Sequence, residues 1–109
     1  MNETEFLTRV SSILDAVERQ ADHWFETLDL DFETKRDGNV LNLVFDNGHQ
    51  VVINSQAPLK EIWVAARRGG FHYRFDGEVW KDTRGGQDLH DCLSQICSDA
   101  AGQRLEVKL

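Results

Sequence analysis

Asp15, Glu18, Asp22 and Glu26 stand three and four residues apart. On an α-helix, at about 100° per residue, they fall within about 80° of one another. Asp29, Asp31 and Glu33 follow at alternate positions, the spacing of one strand face. A row of carboxylates along a helix and the next strand offers hard oxygen ligands, which suit hard cations such as iron or calcium. The same field would dock a basic patch of another protein. The row lacks EF-hand spacing and has only His23 as a neighbouring nitrogen. Its expected affinity is therefore modest, on the order of 10⁻⁵ M or weaker. Its like-charge neighbours cost roughly 1 kcal/mol together, which Arg19, four residues after Asp15, is expected to offset in part.

A second feature is aromatic. The alternation from Lys60 to Arg67 puts Ile62 and Val64 on one face and Glu61, Trp63 and Ala65 on the other. Trp63 is thus expected on the exposed face, with Asn54, Gln56, His72 and Arg74. Exposed aromatics anchor protein interfaces. The four histidines, His23, His49, His72 and His90, include no i,i+4 metal pair. Cys92 and Cys97 have neither redox nor zinc spacing and read as buried reduced thiols. Gly69-Gly70 and Gly85-Gly86 lack the lysine and context of a phosphate loop and read as turns. No nucleophile motif is present.

The elements that must position these residues follow from periodicity. Residues 4–26 read as an amphipathic helix, with Phe6, Val10, Ile13, Val17, Ala21 and Trp24 on one stripe, Leu7, Leu14 and Phe25 widening it, and Thr4 as its cap. From Leu28 the period becomes two: Leu28, Leu30 and Phe32 alternate with the three acids, which predicts a first strand over 28–33. Further strands are predicted over 40–45, 50–54, 60–67, 71–75 and 78–82, punctuated by Asp37-Gly38, Asn47-Gly48, Gly69-Gly70 and Asp76-Gly77. A second helix is expected over about 88–101, ended by Gly102, with Leu105 and Val107 in an extended tail against it. Hairpin-length connections make the sheet antiparallel. The fold class is α+β, a two-layer α/β sandwich with both helices on one face of a roughly six-stranded sheet and the other face wet.

The chain has 109 residues, the size of one domain, and a net charge of −7. That balance disfavours nucleic acid and anionic membranes as partners. Residues 1–34 carry nine acids against Arg9 and Arg19, whereas the remainder carries ten acids and ten bases. No apolar run is long enough to span a bilayer, and the first residues do not form a secretory signal, so a cytoplasmic location is expected.

The stretch Asn54-Ser-Gln56-Ala-Pro58-Leu-Lys-Glu-Ile62-Trp63-Val-Ala65, followed by Gly69-Gly70-Phe71-His72-Tyr73 and by Trp80, resembles the signature of the frataxin family, and of its bacterial branch. The resemblance covers essentially the whole chain. It implies the α/β sandwich and a protein of iron–sulfur cluster assembly that binds iron (Fe²⁺ or Fe³⁺) weakly, other hard cations being able to substitute. It implies an iron chaperone or regulator of the cysteine desulfurase complex rather than an enzyme, monomeric without metal. A ferroxidase or iron-storage activity at the same acids is the alternative. Carried over by residue, the metal ridge is Glu18, Asp22, Glu26, Asp29, Asp31 and Glu33, with Asp15 weighted less. The ridge also contacts cysteine desulfurase. Asn54, Gln56 and Trp63 match the partner-binding face. Arg19, His23, Phe25 and Thr27 stand where many relatives carry further acids, so this ridge is thinner.

Overall fold

In a computed structural model, which describes all 109 residues, the element order is α1 (Glu3–Thr27), β1 (Phe32–Asp37), β2 (Val40–Phe45), β3 (Gln50–Gln56), a 3₁₀ turn (Ala57–Leu59), β4 (Glu61–Ala66), β5 (Gly69–Phe75), β6 (Trp80–Asp82) and α2 (Leu89–Ala101). The six strands form one antiparallel sheet in sequential order. Both helices cover one face, as the fold class required. Phe6, Val10, Leu14, Val17, Ala21 and Trp24 of α1 and Leu89, Cys92, Leu93, Ile96, Cys97 and Ala100 of α2 are buried with Leu41, Leu43, Val51, Ile53, Ile62, Val64 and Tyr73 of the sheet. The tail packs as the pattern suggests: Leu105 and Val107 are buried, and their backbone N–H groups donate to Ser98 Oγ and Ser94 Oγ of α2.

The helix ends differ in detail from expectation. Asn2 caps α1, its Oδ1 accepting the Glu5 N–H at 2.8 Å, so the helix begins one residue ahead of Thr4. Asp88 caps α2 in the same way, and Gly102 ends it in the left-handed region at φ 70°. Phe25 does not widen the buried stripe. It is 53% exposed and meets Phe32 edge-on.

The largest departure concerns the first strand, which spans 32–37 and not 28–33. The turn at Gly38–Asn39 pairs Asp37 with Val40, and each earlier residue then pairs one step further along β2. β2 ends at Phe45, whose partner is Phe32, so residues before 32 have no β2 residue opposite them. Leu28 to Asp31 instead form the connection from α1, with Asp29 in the left-handed region at φ 53°. Aspartate tolerates that conformation better than most residues. The alternating Leu28-Asp29-Leu30-Asp31 pattern is thus carried by a connector: Leu28 is exposed and Leu30 is half-buried against the core. β3 runs two residues beyond expectation, which brings Ser55 and Gln56 into the sheet beside Asn54.

Candidate functional site

The acids run from the middle of α1 through the connector to β1, and the fold sorts them into two groups. On β1, Glu33, Lys35 and Asp37 are exposed while Phe32, Thr34 and Arg36 are half-buried and face the helical layer. Arg36 therefore points at α1. Its Nη1 donates to Asp15 Oδ1 and, at 3.0 Å, to Glu18 Oε1; its Nη2 lies 3.4 Å from Ser11 Oγ, and its Nε donates to the Gly38 carbonyl. The two carboxylates hold the Arg36 proton more tightly than usual, chiefly through these hydrogen bonds. Arg36, and not Arg19, offsets the upper ridge, for Arg19 makes no ion pair. A lone arginine on an edge strand gives no sign in the sequence that it reaches a helix 18 and 21 residues away.

The lower group is Asp22, Glu26, Asp29 and Asp31. All four are exposed and none makes an ion pair, whereas Glu33 pairs loosely with Lys35 at 3.6 Å. They gather around the C-terminal end of α1, whose last turn has no basic residue. The helix dipole places partial negative charge there, so each nearby acid is disfavoured by about 0.3–1 kcal/mol at low salt. A cation or a basic surface relieves that repulsion. No three ridge ligand atoms lie within 4.8 Å of one another, so the ridge is an open field and not a cage.

The face away from the helices carries the aromatic feature. Cross-strand register puts Val40, Asn54, Trp63 and His72 in one row, and Gln56, Glu61, Arg74 and Lys81 in the next. Alternation predicts an exposed Trp63, but the residue is half-buried. Its ring lies flat on His72, 4.2 Å between centroids and 6° between planes. Its Nε1–H donates to Glu61 Oε1 at 2.9 Å. Gln56 donates its amide to Asn54 Oδ1 at 2.9 Å, so those two residues act as a pair. Trp63→Ala should cost about 1–2 kcal/mol, one hydrogen bond and one ring stack, rather than leave stability untouched. Urea unfolding checks this, and a loss above about 3 kcal/mol would place Trp63 in the core.

The structure also assembles a set that no sequence motif announces. Asp88, His90 and Asp91 bring three ligand atoms within 4.8 Å, and Glu106 lies 3.6 Å from His90 Nε2. The adjacency of Asp91 to His90 is the one signal of it in the sequence. Two facts weaken it as a cation site. Asp88 Oδ1 is committed to capping the Asp91 N–H at 3.0 Å, and the set sits at a helix N-terminus, where the dipole favours anions. Both thiols are free and buried, as expected, and burial pushes Cys92 up and Cys97 up to about 12. No helix is long and apolar enough to cross a membrane.

With this geometry in hand, known proteins give a consistent comparison. The family model of the frataxin-like domain matches residues 1–103. A protein of Bordetella petrii named iron-sulfur cluster assembly protein CyaY is 62% identical over 109 residues, covering both chains completely. The protein of the same name in Cupriavidus taiwanensis is 48% identical over 105 residues, 96% of this chain and 95% of that one. The solved frataxin of Psychromonas ingrahamii, studied for stability in the CyaY family, superposes with a TM-score of 0.77 at 26% identity over the full length of both chains. The helix-flanked six-stranded sheet and full-length similarity agree: the chain belongs to the frataxin family, in its CyaY branch.

Proposed function

We propose that this protein serves iron–sulfur cluster assembly as a non-enzymatic iron-binding regulator, taking iron as cargo at the acidic ridge and docking cysteine desulfurase through the ridge and the Trp63 face. The observation that carries the reading is the lower ridge: four exposed, unpaired carboxylates at the negative end of α1, whose last turn has no base. Such an arrangement lowers stability unless something positive binds it. The names borne by the full-length relatives supply the process. Asp22, Glu26, Asp29 and Asp31 form the principal cation set, with Glu18 and Glu33 flanking it. Asn54, Gln56 and Trp63 serve the partner. Because the ridge acids do not converge, the site suits loose exchange of a hard cation better than the defined coordination that ferroxidase turnover needs.

Anaerobic titration with ferrous iron, followed by amide resonances, tests the reading. The expected footprint is residues 22–33. Perturbations confined to the Asp88–Asp91 region would overturn the ridge assignment. If iron and desulfurase share the ridge, each must weaken the other by the same factor.

Arg36 gives a separate prediction. It neutralises Asp15 and Glu18 from within the fold, so Arg36→Gln should extend the iron footprint to these two residues and raise affinity several-fold. An unchanged footprint in the variant would show that the pair does not limit the site.

A further inference from the structure

Glu61 is the one charged residue that is buried, at 5% exposure, yet it lies on the sheet face away from the helices. Burying a carboxylate costs several kcal/mol unless donors surround it. Here they do. Arg74 Nε donates to Oε2 at 2.9 Å from the facing position on β5, and Trp63 Nε1 donates to Oε1 at 2.9 Å. His72 Nδ1 lies 3.7 Å from Oε1 while its ring stacks on the indole. Arg74 remains 63% exposed along its side chain while that of Glu61 is 7% exposed.

A tryptophan on a sheet surface has two free side-chain torsions, and it loses their entropy when a partner immobilises it. The hydrogen bond to Glu61 fixes where the indole edge points, and the His72 stack fixes its plane. We infer that Glu61 is a positioning residue: it holds Trp63 and His72 in advance as one flat platform for the protein partner, without being a contact residue itself. This rests on the proposed docking role of the Trp63 face. It also accounts for a buried acid that the core does not use, since no helix residue bonds to it.

Nitrogen-15 spectra of the full-length protein test this through the three indole Nε1–H signals, that of Trp63 being assigned by its loss in Trp63→Phe. In Glu61→Val the Trp63 indole proton should exchange with water about tenfold faster or more. In Glu61→Gln, whose amide oxygen still accepts, it should stay near the wild-type rate. Affinity for purified cysteine desulfurase should follow the same order, falling about tenfold in Glu61→Val and staying within about threefold in Glu61→Gln, although Trp63 is intact in both. Glu61→Thr, too short to reach the indole, replaces the valine variant should that one not fold. Unchanged indole exchange in the valine or threonine variant overturns the inference. So does a glutamine variant as impaired as valine, because charge and not position would then matter. Absence of desulfurase binding in the wild type would defeat the docking role, while indole exchange would still decide what Glu61 does.

Discussion

Replacing Asp22, Glu26, Asp29 and Asp31 together by their amides should remove most iron affinity, at least tenfold, and at the same time make the fold more stable. The two effects share one cause. Asp22 and Glu26 repel each other at i,i+4 spacing and the acids oppose the α1 dipole, and the sum of these terms is about 1–2 kcal/mol. Asparagine, like aspartate, tolerates the left-handed backbone that Asp29 adopts at φ 53°, so the amide adds no strain of its own there. Iron titration and urea midpoints on the same sample check both halves. Desulfurase affinity should fall as well, and in the wild type it should weaken with salt, because exposed charges are screened over about 8 Å at physiological ionic strength. A variant that is less stable, or that binds iron as before, would remove the ridge from the account. A rise in stability on losing function is the mark of residues kept for binding and not for folding.

Raising the pH above about 9 should unfold the protein progressively, and Cys97 contributes from the start of that loss. Its thiol is fully buried, and burial pushes it from 9.0 to about 12. Between those values the unfolded chain is deprotonated while the native one is not. The native state binds more protons there, so stability falls as pH rises. The contribution is complete below about pH 9 and is lost by about pH 12, on the order of 4 kcal/mol in all. Buried Tyr73, raised far above its ordinary 10.0 by desolvation, acts in the same direction at higher pH. Urea unfolding at neutral pH and at about pH 10.5 measures the difference. Cys97→Ala should shrink it, and the same alkaline loss in that variant would clear the thiol. At neutral pH, thiol reagents should leave both cysteines unmodified until the protein unfolds.

The elements were legible because their signals are local. The α1 stripe at steps of three and four, Gly38 and Gly48 at their hairpins and the alternation in β2 to β5 all report on residues within one or two turns of one another, whereas Gly69-Gly70 belongs to β5 and the turn falls at Arg67-Arg68. The first strand was misplaced for an instructive reason. Leu28 to Glu33 alternate as well as any strand does, but pairing, not alternation, defines a strand. The turn at Gly38 and the length of β2 fix which residues pair. The acidic row is exposed for most of its length, as its spacing suggests. Its internal division was not visible, because Arg36 lies far from Asp15 and Glu18 in sequence.

Side-chain period and composition suffice for the α+β architecture, the charge excess in residues 1–34 and the placing of Trp63 on the sheet face away from the helices. Any short window of the chain reveals both. Which carboxylates are free depends on the folded arrangement of β1 against α1. β1 carries Arg36 against α1 and ties up Asp15 and Glu18, whereas Asp22, Glu26, Asp29 and Asp31 are left beyond its reach. The fold likewise decided that Trp63 is held and not loose, since its partners Glu61 and His72 come from two strands whose register sets them side by side. Charge and polarity are properties of residues, but pairing is a property of distance, and distance between remote residues exists only once the chain is folded.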